Sequence, residues 1–245
     1  MAGIILNKTI SDGLVFYLDA ANPKSFVSGS TTWFDLSGNN YHGTLINGTG
    51  FSSESNGCMV FDGVDDMVTT NFNKLNTSCS FEIWANRTQS INTYNMMFGM
   101  FRPYFAFRSG NYLQFTNTIN GITQNLISSG GLTNNKWYSF HFVNSYDGIN
   151  TTVNIYINGV LVGTGTYAGQ IQTTTTNPLI IGHYRQTPID YPIQGKISIV
   201  KVYNKNLTST EVLQNYNATK KKIFTIIWKN NYMKIENSWY SMYLN

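Results

Sequence analysis

Three aspartates lie within five residues at Asp62, Asp65 and Asp66, in a stretch that also contains Gly63. Calcium takes about six to eight oxygen ligands, and a tight acidic turn between two strands can offer several of them as carboxylates and carbonyls. The stretch therefore predicts a metal site formed by these three aspartates. In the alternative interpretation, Asp62 and Gly63 build the turn itself through side-chain to backbone hydrogen bonds, without an ion.

Two other segments combine aromatic and polar side chains in the way that sugar binding requires. A sugar site needs flat aromatic faces and a few fixed polar groups beside them. The sequence predicts a ligand-binding site from five residues, which are Trp33, Asp35, Tyr184, Arg185 and Tyr191. The alternative for Trp33 is packing at the edge of the fold.

Residues that could carry out catalysis are few. Retaining glycoside hydrolysis needs two carboxyl groups about 5–5.5 Å apart. Among the glutamates, only Glu82 lies in a clearly predicted strand, and its same-face neighbours Ser80 and Trp84 are not acids. The histidines stand in separate segments with no nucleophile beside them, so we expect them to be structural. These observations predict a protein that is not an enzyme.

Composition excludes several other classes of protein. The chain is 42% hydrophobic and only 11% charged, which is the reverse of a disordered chain. Its net charge of +4 comes largely from lysines near the C-terminus, so no basic face for nucleic acid is expected. Neither a signal-peptide pattern nor an apolar run long enough to insert into a membrane is present. Cys58 and Cys79 form no metal-binding pair, and we expect them to be reduced, with a disulfide between neighbouring strands as the alternative.

Hydrophobic residues alternate with polar ones along most of the chain. Strands are predicted over residues 13–19, 58–62, 80–85, 137–143, 152–157 and 196–203. Asn158-Gly159 is a strong hairpin signal, because both central residues of a type I′ turn need positive φ. Ser109-Gly110-Asn111 separates two further short strands in the same way. Many strands at short intervals predict an all-β sandwich.

One helix is predicted, beginning at a capping box formed by Thr208 and Glu211. Val212, Leu213 and Tyr216 would form its buried stripe, and the helix is expected to end near Asn217 or Ala218. Residues 220–245 are basic and aromatic and could add one or two strands. The predicted organisation is an N-terminal arm at 1–11, one domain at 12–219 and a C-terminal tail at 220–245.

The chain resembles the laminin-G-like jelly rolls of the concanavalin A-like lectin/glucanase superfamily, and in particular the single-domain versions encoded by phages. The matching stretches are residues 13–26, 31–48, 59–68, 80–85, 136–148, 153–163, 178–184 and 195–220. The resemblance implies an antiparallel two-sheet jelly-roll β-sandwich with one short C-terminal α-helix. Glycosidases of the superfamily carry a Glu-x-Asp-x-Glu strand motif, which does not occur in this sequence. Ser198 stands where some relatives place an acid that helps to hold calcium.

The resemblance and the missing catalytic acids together predict a virion structural or decoration protein of a phage, assembled in the host cytoplasm and exposed on the particle surface. Capsid or tail proteins, further copies of the chain and a glycan are the expected partners. Nucleic acid and membrane are not expected. No cofactor is required, and a structural calcium ion is the only one suggested. The alternative is a free carbohydrate-binding, lectin-like module, and a glycoside hydrolase is a remote third.

Overall fold

The computed structural model describes residues 8–89, 94–100, 102–128, 130–173, 177–183, 185–186, 189–224, 226–229, 232–235 and 238–241. For 185–186, 189–190 and the segments after 225, only the backbone is described. In chain order the strands are β1 Leu14–Asp19, β2 Thr32–Trp33, β3 Gly43–Ile46, β4 Gly50–Ser52, β5 Cys58–Asp62, β6 Met67–Thr69, β7 Cys79–Gln89, β8 Tyr94–Gly99, β9 Tyr104–Arg108, β10 Tyr112–Ile119, β11 Ile122–Ile127, β12 Tyr138–Tyr146, β13 Asn150–Ile157, β14 Val160–Ala168, β15 Ile180–Ile181, β16 Arg185–Gln186, β17 Ile189–Asp190, β18 Gln194–Tyr203, β19 Ile226–Lys229, β20 Tyr232–Ile235 and β21 Ser238–Ser241. Helix α1 is Ser209–Ile223, and a 3₁₀ turn is Glu54–Asn56.

Two antiparallel sheets form the sandwich that the sequence predicts. The first sheet has the order β14-β13-β12-β7-β18-β5-β4, and β1 also pairs with β18. The second has the order β11-β10-β9-β8-β15-β6-β3-β2. Strands β16 and β17 form a separate hairpin, and β19, β20 and β21 pair with one another. The predicted jelly-roll fold is therefore confirmed.

Aromatic residues fill the space between the two sheets. Phe105 of the second sheet lies at the centre of this cluster, with ring centroids 4.8 Å from Phe81 and 4.0 Å from Phe142 of the first sheet. Phe98 and Phe115 pack on the same ring at 4.3 Å and 4.8 Å. Since alternate residues of a strand point to opposite faces, burying Phe105 and Phe107 of β9 sends Ala106 and Arg108 to the outer face of the second sheet.

The predicted hairpins are formed. Asn158 and Gly159 join β13 to β14 with φ values of 52° and 81°, as a type I′ turn requires. Residues 109–111 join β9 to β10 and place Arg108 directly opposite Tyr112.

Helix α1 packs against the outer face of the first sheet and begins at the predicted capping box of Thr208 and Glu211. It continues to Ile223, so the prediction that it ends near Asn217 or Ala218 was wrong, and the boundary drawn at 219 falls inside the helix. The reason is that Thr219 is buried and accepts a hydrogen bond from Trp84 Nε1 at 2.8 Å. This polar contact with the sheet extends the inward face beyond the apolar stripe.

The buried residues of the helix are Val212, Asn215, Thr219 and Ile223, whereas Leu213 of the predicted stripe is 46% exposed. The Asn215 side chain accepts a hydrogen bond from the backbone N–H of Ile10 at 2.8 Å. The described end of the predicted N-terminal arm therefore packs on the helix. Within the part of the chain that the structure describes, no helix is long and apolar enough to cross a membrane.

Candidate ligand-binding site

A row of large side chains crosses three strands on the outer face of the second sheet. Tyr94 of β8 lies opposite Arg108 of β9, and Arg108 lies opposite Tyr112 of β10. Directly opposed residues share one face, with Cβ atoms about 4.5–5.5 Å apart. Tyr94 and Arg108 are half-buried, and Tyr112 is 41% exposed. This row combines aromatic faces with one guanidinium, the kinds of group that a sugar site uses.

The ring of Tyr112 is supported by the backbone on which it rests. A Cβ atom added at Gly110 would lie 2.8 Å from the ring, and one added at Gly130 would lie 3.1 Å from it. Side chains at either position would push the ring away, so the two glycines allow it to lie against the loops. The structure thus holds Tyr112 as a platform with part of its ring surface open to solvent.

Arg87 fixes the two loops that support this platform. Its Nε–H donates to Asn134 at 2.8 Å and an Nη2–H donates to Asn111 at 2.7 Å, while the guanidinium lies 5.0 Å from the ring centroid of Phe107. Burial lowers the pKa of Arg87, yet a guanidinium remains charged in proteins. Asn111 precedes Tyr112, and Asn134 belongs to the loop that contains Gly130. Arg87 therefore positions the platform from inside the sandwich.

Tyr191, a predicted ligand-binding residue, extends the row on its other side. Its ring meets Tyr94 edge-on, with centroids 5.2 Å apart and an interplanar angle of 72°. Its carbonyl accepts the backbone N–H of Met96 at 3.1 Å, which ties the loop to β8. We refer to Tyr191, Tyr94, Arg108 and Tyr112 as the tyrosine–arginine row.

Two other predicted ligand-binding residues precede Tyr191 in the chain. Arg185 lies in β16, paired in register with Asp190, and only its backbone is described. Tyr184 lies outside the described residues.

Trp33 and Asp35 do not belong to this site. Trp33 is fully buried within the sandwich, so it presents no ring face to a sugar, and it packs as the alternative interpretation has it. Asp35 is 9% exposed and accepts hydrogen bonds from the backbone N–H groups of Tyr17, Ser37 and Tyr41 at 2.9–3.1 Å. The Asp35 carboxylate thus holds its own loop together through these hydrogen bonds.

The three predicted metal ligands do meet in one turn. Oxygens of Asp62, Asp65 and Asp66 all lie within 4.8 Å of one another. The turn also makes hydrogen bonds of its own, since Asp62 Oδ1 accepts the N–H of Val64 at 2.8 Å and Asp66 Oδ2 accepts that of Asp62 at 2.9 Å. Burial, together with the charges of the two neighbouring aspartates, raises the pKa of Asp66. The three carboxylates would suit calcium. The two hydrogen bonds hold the turn without an ion, as the alternative interpretation has it.

Residue 198 adds no ligand to this turn. The Ser198 hydroxyl donates to the carbonyl of Gly57 at 2.7 Å, so it serves the packing of the first sheet.

Glu82 of β7 is enclosed between His141 of β12 and Lys201 of β18 in the first sheet. Glu82, His141 and Lys201 are each 0% exposed, and Lys201 Nζ lies 3.1 Å and 3.2 Å from the two carboxylate oxygens. Burial alone would raise the pKa of Glu82, but the Lys201 ammonium and the His141 imidazole, whose Nε2 lies 3.6 Å from the carboxylate, bring it down to about 2. An enclosed carboxylate that stays ionised cannot reach a substrate or give it a proton. Cys58 and Cys79 are likewise buried, and both are free thiols, as predicted.

Sequence reasoning missed Tyr94, Arg108 and Tyr112. The turn signal at 109–111 would have placed Arg108 opposite Tyr112, since three residues separate the two strands. The partner Tyr94 follows only from the register of β8, for which the sequence has no marked turn.

Two antiparallel sheets packed face to face with this strand order define a jelly-roll domain. The chain belongs to the concanavalin A-like lectin/glucanases superfamily, whose family model matches residues 62–213. No curated protein matches the chain.

Solved structures with the same fold are similar at low sequence identity. The ligand-binding domain of botulinum neurotoxin serotype D, in complex with N-acetylneuraminic acid, is 15% identical with a TM-score of 0.65, over 92% of this chain and 62% of that one. Domain 4 of a GH43 extracellular arabinanase from Geobacillus stearothermophilus, in complex with arabinotriose, is 18% identical with a TM-score of 0.58, over 83% of this chain and 98% of that one. Trypanosoma rangeli sialidase in complex with sialic acid is 13% identical with a TM-score of 0.60, over 86% of this chain and 33% of that one. The chain thus spans 51–62% of the neurotoxin binding domains and a third of the sialidase.

Proposed function

We propose that this chain is a non-catalytic, lectin-like module that binds glycans through the tyrosine–arginine row. The observation that carries the proposal is the partly open ring of Tyr112, held on two glycine backbones beside Arg108. Aromatic residues that are rigid and half-exposed give large contact area at low cost in conformational entropy. Sugar complexes of the arabinanase domain and of the neurotoxin domain agree with this use of the fold.

The absence of catalysis is part of the same proposal. Glu82 is the glutamate that the sequence places most clearly in a strand, and it is enclosed and paired with Lys201. Its opposite neighbour in β12 is His141, which is also fully buried. These groups support the fold of the first sheet, so we expect the purified protein to bind oligosaccharides without cleaving them.

The experiment that tests the proposal is a glycan array, followed by titration calorimetry with the strongest hits. Tyr112→Ala should weaken binding by about tenfold or more, as expected for a central aromatic anchor. Tyr112→Phe keeps the ring and should bind nearly as well as the native protein. An array without hits, or equal affinities for the alanine variant and the native chain, would overturn the proposal.

We also propose that the module acts on the surface of a virion. The support is the sequence resemblance to single-domain phage versions of this family. Mass spectrometry of purified particles from the source should then find the chain at a high copy number that fits the particle symmetry. Its absence from particles would leave a free lectin-like module as the function.

A further inference from the structure

We infer that the ligand of the tyrosine–arginine row is an anionic sugar, whose carboxylate or sulfate is bound by Arg108. This inference rests on the proposed function and names the chemical class of its ligand. It follows from the distribution of charge around the row and from the surroundings of the Arg108 guanidinium.

The segment that supplies Tyr94, Arg108 and Tyr112 contains cations and no acids, whereas Tyr191 comes from another segment and follows Asp190. Between Glu82 and Asp147 the sequence has neither aspartate nor glutamate, while Arg87, Arg102, Arg108 and Lys136 all fall within it. Strands β8, β9, β10 and β11 come entirely from this segment. An anion that approaches these strands therefore meets the positive charge of Arg108, with no carboxylate on them to repel it.

Arg108 is the cation that lies within the row, between Tyr94 and Tyr112. Among the residues that the structure describes, none forms an ion pair or a side-chain hydrogen bond with Arg108. Arg87, by contrast, is 1% exposed and already donates to two asparagines. The guanidinium is a planar fork of donors that matches the two oxygens of a carboxylate or two oxygens of a sulfate.

The tyrosines on either side restrict what can use this fork. Tyr94 and Tyr112 lie one strand away from Arg108 in opposite directions, so they stand about 10 Å apart, which is twice the spacing of neighbouring strands. A simple inorganic anion would contact only the arginine. A sugar that carries an acidic group can place that group over Arg108 and a ring face against a tyrosine, which uses all three side chains.

The test is binding of the full chain to matched neutral and acidic oligosaccharides, namely lactose, sialyllactose, oligogalacturonate and a sulfated disaccharide. We expect binding of at least one acidic sugar at least tenfold stronger than that of lactose, and weaker binding as salt is raised. The sialyl and uronate arms report a carboxylate, and the sulfated arm reports a sulfate.

Three variants attribute the preference to Arg108. Arg108→Gln should lower affinity for the acidic sugar about ten- to a hundredfold, since a hydrogen bond to a charged group is lost. Arg108→Lys keeps the charge without the fork and should fall between. Lys24→Gln removes the same charge from an exposed residue outside this segment and should leave affinity unchanged.

The outcomes separate this inference from the proposed function. Binding of neutral sugars alone, or an Arg108→Gln variant with native affinity for the acidic sugar, would overturn the inference and leave the module a glycan binder. Failure of all four sugars to bind, together with a glycan array without hits, would overturn both. Melting curves of Arg108→Gln check the fold, which we expect to be intact because the side chain has no partner among the described residues.

Discussion

Replacing Glu82 with glutamine removes the negative charge from the buried cluster of Glu82, His141 and Lys201 in the first sheet. Glu82 and Lys201 are both 0% exposed, and the ammonium lies 3.1 Å from the carboxylate. Removal of one partner leaves an uncompensated buried charge, which costs about 3–5 kcal/mol. In a chain of this size that loss lowers the melting midpoint by roughly 6–20 °C.

A matched control is available at the surface. Glu54 pairs with Lys196, but its side chain is 49% exposed, so Glu54→Gln should cost less than about 1 kcal/mol. The double variant Glu82→Gln/Lys201→Met removes both buried charges and should recover much of the stability that the single variant loses. Thermal and urea unfolding measure all three. A loss below about 1 kcal/mol for Glu82→Gln would refute the reasoning.

The same pair sets a dependence on pH. The pKa of Glu82 falls from its ordinary 4.5 to about 2 in the folded protein. A depressed carboxyl pKa stabilises the fold above the unfolded value, and this stabilisation is lost as pH falls from 4.5 towards 2. The gap in stability between the native chain and Glu82→Gln should therefore shrink over that window. A gap that stays constant from pH 7 to pH 3 would contradict this assignment.

Three further changes test other parts of the structure by thermal unfolding. Thr208→Ala removes the cap of helix α1 and should cost about 1 kcal/mol, whereas an unchanged midpoint would contradict the capping box. Gly182→Ala should destabilise the fold far more than Gly121→Ala. Both glycines have positive φ, but only a Cβ at position 182 would lie 2.1 Å from the Phe61 ring. Equal losses of stability would count against that contact. Asp66→Asn in chelator should raise the melting midpoint at pH 7. The pKa of Asp66 is raised in the folded chain, so its ionised form is less favourable there than in the unfolded chain. The native chain therefore loses stability as pH rises through that pKa, and the asparagine variant does not. A midpoint that rises with calcium and returns with chelator in the native chain, but not in Asp66→Asn, would show that the acidic turn binds the ion.

Local patterns in the sequence predicted the elements well. The Asn158-Gly159 turn and the cap at Thr208 depend on neighbours within a few residues, and both are formed. The end of helix α1 was missed because it depends on Trp84, which lies 135 residues from Thr219 in the chain. A polar residue on the inward face of a helix is unrecognisable until its partner on the sheet is known.

The candidate site was predicted only in part for the same reason. Tyr191 was identified from its own segment, but its neighbour Tyr94 lies on a strand far away in the sequence. The burial of Trp33 reflects packing between the two sheets, which no local pattern encodes. The charge on Glu82 is likewise explained by Lys201, which lies opposite it on a neighbouring strand 119 residues away in the chain.

The central claim is that the tyrosine–arginine row binds a glycan, and titration calorimetry of the native chain and Tyr112→Ala against the best array hit tests it most directly. We predict saturable binding of one site per chain by the native protein and at least about tenfold weaker binding by the variant, with a cooperative melting transition in both proteins. Equal affinities of the two proteins for the sugar would contradict it.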